Sequence, residues 1–219
     1  MRRRLIERGP DLGLFGVGIV GAASVVTALL YSGQDGVHYS PLNQAVSDLG
    51  EVAASELAWL FNIGSITGGA LIALYMLGIV LRSTSAAGRA FGILGVLTGL
   101  AVMSIGLFPM DDIDGHLVAT LCTFGGITLA AGWFAGWVLG GSAPYPRWLG
   151  ALAAWVVVAM IVFAVAPSLL QPEWTFAMQF EADQPPRPDI WLAALLEWLV
   201  IGSALGWLAL VAWHDRGDT

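Results

Sequence analysis

Six apolar runs divide this chain, each about 20 residues long, which is the length a helix needs to cross about 30 Å of hydrocarbon at 1.5 Å per residue. They extend roughly over Leu12 to Tyr31, Leu57 to Leu81, Ala87 to Phe108, Leu117 to Leu139, Arg147 to Leu170 and Ile190 to Trp213. In lipid, backbone amides find partners only inside a helix or a closed barrel. The runs are too long and too uniform for the alternating strands of a barrel, so the fold class is all-α. The expected architecture is a compact six-transmembrane-helix bundle, one membrane domain spanning residues 1–219.

Composition agrees with that constraint. Hydrophobic residues make up 57% of the chain and charged residues only 11%, against about 25% charged in a soluble domain. So few charges cannot solvate so much apolar surface, which excludes a disordered chain and an ordinary soluble enzyme. The basic residues are all arginine, and the formal net charge of -7 disfavours nucleic acid as a partner. Cys122 is the sole cysteine, so one chain can build neither a disulfide nor a cysteine metal cluster. No cofactor is implied.

Arginine placement sets an expected orientation, because basic residues beside spans stay in the cytoplasm. Arg2, Arg3, Arg4, Arg8, Arg82, Arg89, Arg147 and Arg216 fall on one side of the six-span arrangement, and only Arg187 falls on the other. Acids show the opposite bias, with Asp48, Glu51, Asp111, Asp112 and Asp114 among those in the three opposite loops. A multi-pass protein of the cell membrane with both termini cytoplasmic is expected. The basic start followed by a long apolar run reads as a retained anchor rather than a cleaved signal peptide.

The first and fifth outer loops are the long ones. In the first, Ser40 to Gly50 reads as a short amphipathic helix: Ser40 as N-cap, Pro41 in the first turn and Gly50 as a left-handed stop. Leu42, Ala45, Val46 and Leu49 would share one apolar face. That helix would either plug the bundle mouth or face a substrate. In the fifth, Trp174, Phe176, Met178 and Phe180 precede a proline-rich stretch ending at Pro188. These aromatics suit an interfacial anchor or a lid, and most of the tryptophans suit an aromatic belt. Glycines four apart, such as Gly64 and Gly68, Gly95 and Gly99, or Gly202 and Gly206, allow close helix approach and leave open a homo-oligomer through small-residue faces.

Ionisable groups inside spans are costly and commonly functional. Glu197 is the clear case, about 10 Å below the outer end of the last span. Asn62, Ser104 and Thr120 place further polar groups in the same outer third, with His38, Ser47, Asp48, Glu51, Asp112 and His116 just above it. A pair between His116 and Glu197 would either lock two helices, bind a ligand or do chemistry; a headgroup-exposed His116 is the other alternative. His38, His116, Asp48 and Asp112 supply nitrogen and oxygen ligands in one compartment, yet no zinc-binding spacing positions them, and no metal is expected. Ser47 lacks the glycine elbow of a hydrolase serine.

The segments His38 to Gly50, Phe61 to Gly64 and Gly106 to Asp112 with His116 just after, taken together, resemble the prokaryotic six-span membrane family catalogued as domain of unknown function 998, over nearly the whole chain. That resemblance implies a candidate site at Tyr39, Ser40, Ser47, Gly50, Asn62, Pro109, Asp112 and His116, without a chemistry. More distantly, Val46 to Gly50 ahead of the second span resembles a loop of the eukaryotic Frag/DRAM/Sfk membrane family, whose members are associated with lipid remodelling; this implies a membrane lipid as partner.

Three functional readings follow. The first is binding of a lipid or small amphiphile in a polar pocket opening to the outer leaflet, with Asn62, His116, Glu197, His38, Tyr39 and Ser47 as ligand-binding candidates. The second is an intramembrane enzyme acting on a lipid, with His116 as acid or base and Ser47, Asp48 or Asp112 as its partner. The third is proton-coupled transport through Glu197, which the scarcity of ionisable residues in the inner halves of the spans disfavours.

Overall fold

The structure is a computed structural model that describes residues 2–33, 38–174 and 187–217. The apolar runs form six helices: α1 (Arg2–Leu29), α2 (Ala58–Arg82), α3 (Ala86–Leu107), α4 (Ile113–Leu139), α5 (Arg147–Leu170) and α6 (Leu192–Gly217). All six are long and apolar enough to cross a membrane. A single turn of 3-10 helix, η1 (Ser47–Gly50), lies between α1 and α2. Among the described residues the only β pairing is an isolated bridge between Ser32 and His38.

Two helix starts lie earlier than hydropathy alone suggests, each for a local reason. α1 continues back through Pro10 to Arg2, with an Arg3–Glu7 ion pair one turn apart and a contact between Arg216 and Asp11 at 3.0 Å. α4 starts at Ile113 because the Asp112 side chain accepts from the Gly115 amide at 3.2 Å, capping its first turn. Ser85 caps α3 in the same way, accepting from Gly88 at 3.0 Å.

Each helix packs chiefly on its neighbours in sequence, and α6 packs back on α1, so the chain closes into a ring of antiparallel neighbours. One end of this ring carries the termini and the 82–86 and 140–146 connections; η1 and the 108–112 connection lie at the other. Small residues set the tightest contacts. A Cβ on Gly69 would stand 2.5 Å from the Met103 amide, and one on Gly106 would stand 2.1 Å from the Asn62 carbonyl, so α2 and α3 touch backbone to backbone. Large apolar side chains such as Phe15, Leu129 and Leu169 point outward on the ring, where lipid solvates them.

Nearer the terminal end the ring is filled by aromatics. Phe91 and Phe134 have ring centroids 4.8 Å apart, Phe134 and Trp207 5.4 Å, and Phe134 and Tyr145 5.0 Å. Below them Tyr75 donates to Asp215 at 2.7 Å, and Arg82 forms an ion pair with the same carboxylate.

Candidate functional site

The stretch from Ala45 to Gly50 folds into the mouth of the ring, while His38, Leu42 and Val52 beside it stay exposed. Ala45, Val46 and Leu49 are buried, and so are Ser47, Asp48 and Gly50. The expected α-helix over 40–50 is replaced by hydrogen-bonded turns at Ser40 and the single turn η1, because side chains take the groups a helix would use. Tyr39 stands 2.9 Å and 2.8 Å from the carbonyls of Gln44 and Ala45 with its hydroxyl, and Asp48 accepts from the Ala45 amide at 3.0 Å. Gly50 is not left-handed: among the described residues the only positive φ belongs to Gly141. A Cβ at position 50 would instead meet the Asn62 Oδ1 at 2.6 Å and Phe61 at 2.9 Å.

Three anchors hold this roof. Glu197, 3% exposed on α6, accepts from the Val46 amide at 2.9 Å, and so satisfies a free donor at the entry to η1. Asp48 is ion-paired with Arg187, whose guanidinium lies 5.3 Å from the Trp191 ring centroid. Asn62 donates from Nδ2 to the Gly50 carbonyl at 3.0 Å. Further out, Asp111 accepts from the amides of Val52 and Ala53 at 2.7 Å and 2.9 Å.

Electrostatics around the roof follow from its burial. Burial drives the Tyr39 phenol far above its ordinary value, reinforced by Glu197 and Asp48 against the hydrogen bond from Trp198, so it stays a neutral hydroxyl. Burial also raises Glu51, with Asp48 and Asp111 adding to it and Arg187 opposing. Burial pulls the Arg187 guanidinium down, but its ion pair with Asp48 outweighs this and holds it above the ordinary value.

Beneath the roof lies a central chamber of about 90 Å³, walled by α1, α2, α3, α4 and α6 and topped by Val46 and Ser47. A second space of about 60 Å³ continues toward the terminal end and reaches Trp207. The two share Ile72, Val102, Ile127, Ala204 and Leu205 as walls, so they abut along the bundle axis. From Glu197 to Trp207 they follow ten residues of α6, about 15 Å at 1.5 Å per residue. Most of the lining is apolar. The polar exceptions gather toward the roof, and three of them, Ser47, Thr120 and Thr123, carry buried hydroxyls with no hydrogen-bond partner among the described residues.

The structure separates the other candidates from this chamber. His116 is buried, but its Nδ1 lies 2.8 Å from the Phe108 carbonyl, to which it donates, and Glu197 takes the Val46 amide instead of that ring. Neither His116 nor Asn62 is among the chamber's lining residues. Asp112 is a cap for α4, Ser40 takes the Leu42 amide at 3.3 Å, and His38 is exposed beside its bridge to Ser32. Tyr39 supports the roof through its neighbours and accepts from Trp198 at 2.8 Å. Among the described residues no group of three His, Cys, Asp or Glu side chains is placed to hold a metal.

Trp174 is buried: it packs on Trp191 at 5.8 Å, and the Trp191 indole donates to its carbonyl at 3.0 Å. Phe176, Met178 and Phe180 lie outside the described residues. Sequence reasoning missed Thr123, although its place three residues after Thr120 puts both on one helix face. It also missed the Arg187–Asp48 pair, for which the signal was a lone cation opposite a loop rich in acids.

Fold and site together define a polytopic α-helical membrane protein, a ring of six helices with a roofed chamber among five of them. The chain belongs to the family described as Protein of unknown function (DUF998), whose model matches residues 19–214. No curated protein matches it, and no solved structure does.

Proposed function

We propose that this protein binds a lipid or small amphiphile in the central chamber. The observation that carries this reading is the cavity itself: an apolar shaft whose unpartnered hydroxyls cluster at one end has the polarity pattern of an amphiphile. A buried hydroxyl without a partner costs about 1–3 kcal/mol, which a bound polar group would recover. In this reading the roof faces the outside of the cell membrane and both termini are cytoplasmic, supported by the collection of eight of the nine arginines at the terminal end. Access then depends on the roof, whose anchors to α6 and to Arg187 are the contacts that opening would break.

The test is to purify the full chain from membranes in mild detergent and analyse bound molecules by native mass spectrometry. The wild type should retain an amphiphile, and Ala204→Leu, which fills the wall shared by both parts of the cavity, should retain at least tenfold less. Equal retention by a folded Ala204→Leu protein would overturn the reading.

A further inference from the structure

We propose that the chamber selects an uncharged, hydroxyl-headed, short single-chain amphiphile, with its head among Ser47, Thr120 and Thr123 and its chain directed toward Trp207. This rests on the reading of the chamber as a ligand site and adds the class of ligand. Size argues first. A dry cavity on the order of 150 Å³ admits benzene in other proteins, and the two abutting spaces here, at about 90 Å³ and about 60 Å³, reach that order only where the shared wall lets one chain run through both. A two-chain phospholipid does not fit; a medium-chain alcohol matches the narrow shaft.

Charge argues second. Among the described residues the chamber is lined by no arginine, lysine or histidine, so a phosphate or carboxylate head would be stripped of water without a cation to receive it. The one ionisable lining group, Glu197, offers an anion no positive charge, and it already serves the Val46 amide. An ammonium head would have to draw that carboxylate away from the roof. A hydroxyl needs neither.

Hydrogen bonding argues third. Thr120 and Thr123 lie one turn apart on α4, and Ser47 overhangs them from the roof. All three are at least nine-tenths buried, and their hydroxyls lack partners among the described residues. A hydroxyl both donates and accepts, so an alcohol head can complete the set. The apolar floor ends at Trp207, whose indole Nε1 also has no hydrogen-bond partner among the described residues.

The proposal is tested on the full chain in phosphatidylcholine nanodiscs, with three eight-carbon photoreactive probes bearing an alcohol, a carboxylate or an amine head. Crosslinks are mapped by peptide mass spectrometry at pH 8. The alcohol probe should label the chamber walls on α3, α4 and α6, unlabelled octan-1-ol should compete, and the carboxylate and amine probes should label at least tenfold less. The shape-preserving double variant Thr120→Val, Thr123→Val should lose at least tenfold of the alcohol labelling, with Ser47→Ala as a second, independent variant; circular dichroism confirms the fold of each. Equal labelling by a charged probe, or undiminished alcohol labelling in both folded variants, overturns the head-group assignment and leaves the chamber reading standing. Absence of chamber labelling by every probe overturns both.

Discussion

Glu197 on α6 and Val46 at the entry to η1 are joined by a 2.9 Å hydrogen bond between a buried carboxyl oxygen and a backbone amide, across 151 positions of sequence. The bond ties the roof of the chamber to its wall. Replacing Glu197 with Leu leaves that amide without an acceptor in a buried place, which costs roughly 1–3 kcal/mol. Glu197→Gln keeps an acceptor oxygen of the same reach and should cost less than half as much. Thermal denaturation in detergent orders the three proteins. Limited proteolysis should find the 38–56 segment cut faster in the Leu variant, while equal cutting in all three would show that the bond does not hold the roof.

The second anchor is an ion pair with one side buried: the Asp48 side chain is 3% exposed and that of Arg187 29%. Removing the arginine alone strands a buried charge, so Arg187→Gln should destabilise by about 1–3 kcal/mol, below the roughly 3–5 kcal/mol of a fully buried pair. Asp48 also accepts from the Ala45 amide, and an asparagine there keeps an acceptor without the charge. The double variant Asp48→Asn, Arg187→Gln should therefore recover more than half of the loss. A double-mutant cycle read by melting temperature checks this, and simple additivity would refute the coupling.

Glu51 makes the roof sensitive to pH. Burial and the carboxylates of Asp48 and Asp111 raise its folded value above the ordinary one, so the folded state holds the proton more tightly than the unfolded chain does. Its contribution is fully present below the unfolded pKa and is lost as pH rises through the raised folded value. Melting temperature should accordingly fall across the window just above the ordinary carboxylate range. Glu51→Gln should flatten that slope, and Arg187→Gln should steepen it by removing the opposing cation. A slope unchanged by Glu51→Gln would assign the dependence to another group.

The helices were legible in the sequence because a hydrocarbon solvent forces continuous apolar runs of fixed length. The depth of Glu197 was legible for the same reason, since a lone acid in an apolar run stands out. Its partner was not: a backbone amide has no residue identity, and nothing in Val46 marks it as the donor. The shape of the roof was misread because Ser40, Pro41 and Gly50 give a local signal for a helix, whereas Tyr39, Asp48 and Glu197 claim the backbone groups from outside it. A pocket near the polar layer was legible, but its mostly apolar walls were not, because a void is a property of several packed helices and of no single segment.

At the opposite end, Asp215 is buried between Tyr75, which donates to it at 2.7 Å, and Arg82, its ion-pair partner. Tyr75→Phe removes one charge-assisted hydrogen bond and should cost about 1.5–3 kcal/mol. Arg82→Gln leaves the buried carboxylate without its cation and should cost more. Because the aromatic layer of Phe91, Phe134 and Trp207 separates this cluster from Thr120 and Thr123, both variants should leave chamber labelling within twofold of wild type. Loss of labelling in a folded Tyr75→Phe protein would instead link the two ends of the bundle.

Glycines fall into two groups that stability measurements should separate. Gly69 and Gly106 stand where an added Cβ meets backbone atoms at 2.5 Å and 2.1 Å, so alanine forces α2 and α3 apart. Overpacking of this kind costs about 1–3 kcal/mol. Gly136 and Gly202 are exposed, and a Cβ there meets nothing within 4 Å. Leucine at either position should leave the monomer as stable as wild type, or stabilise it by up to about 1 kcal/mol through helix propensity. A bulky residue on an exposed glycine face would also block any close approach by a second copy. Mass photometry of the two leucine variants beside wild type therefore reports on self-association through these faces without disturbing the chamber. A fall in melting temperature of either variant in its monomeric form would show that these positions pack against the bundle after all.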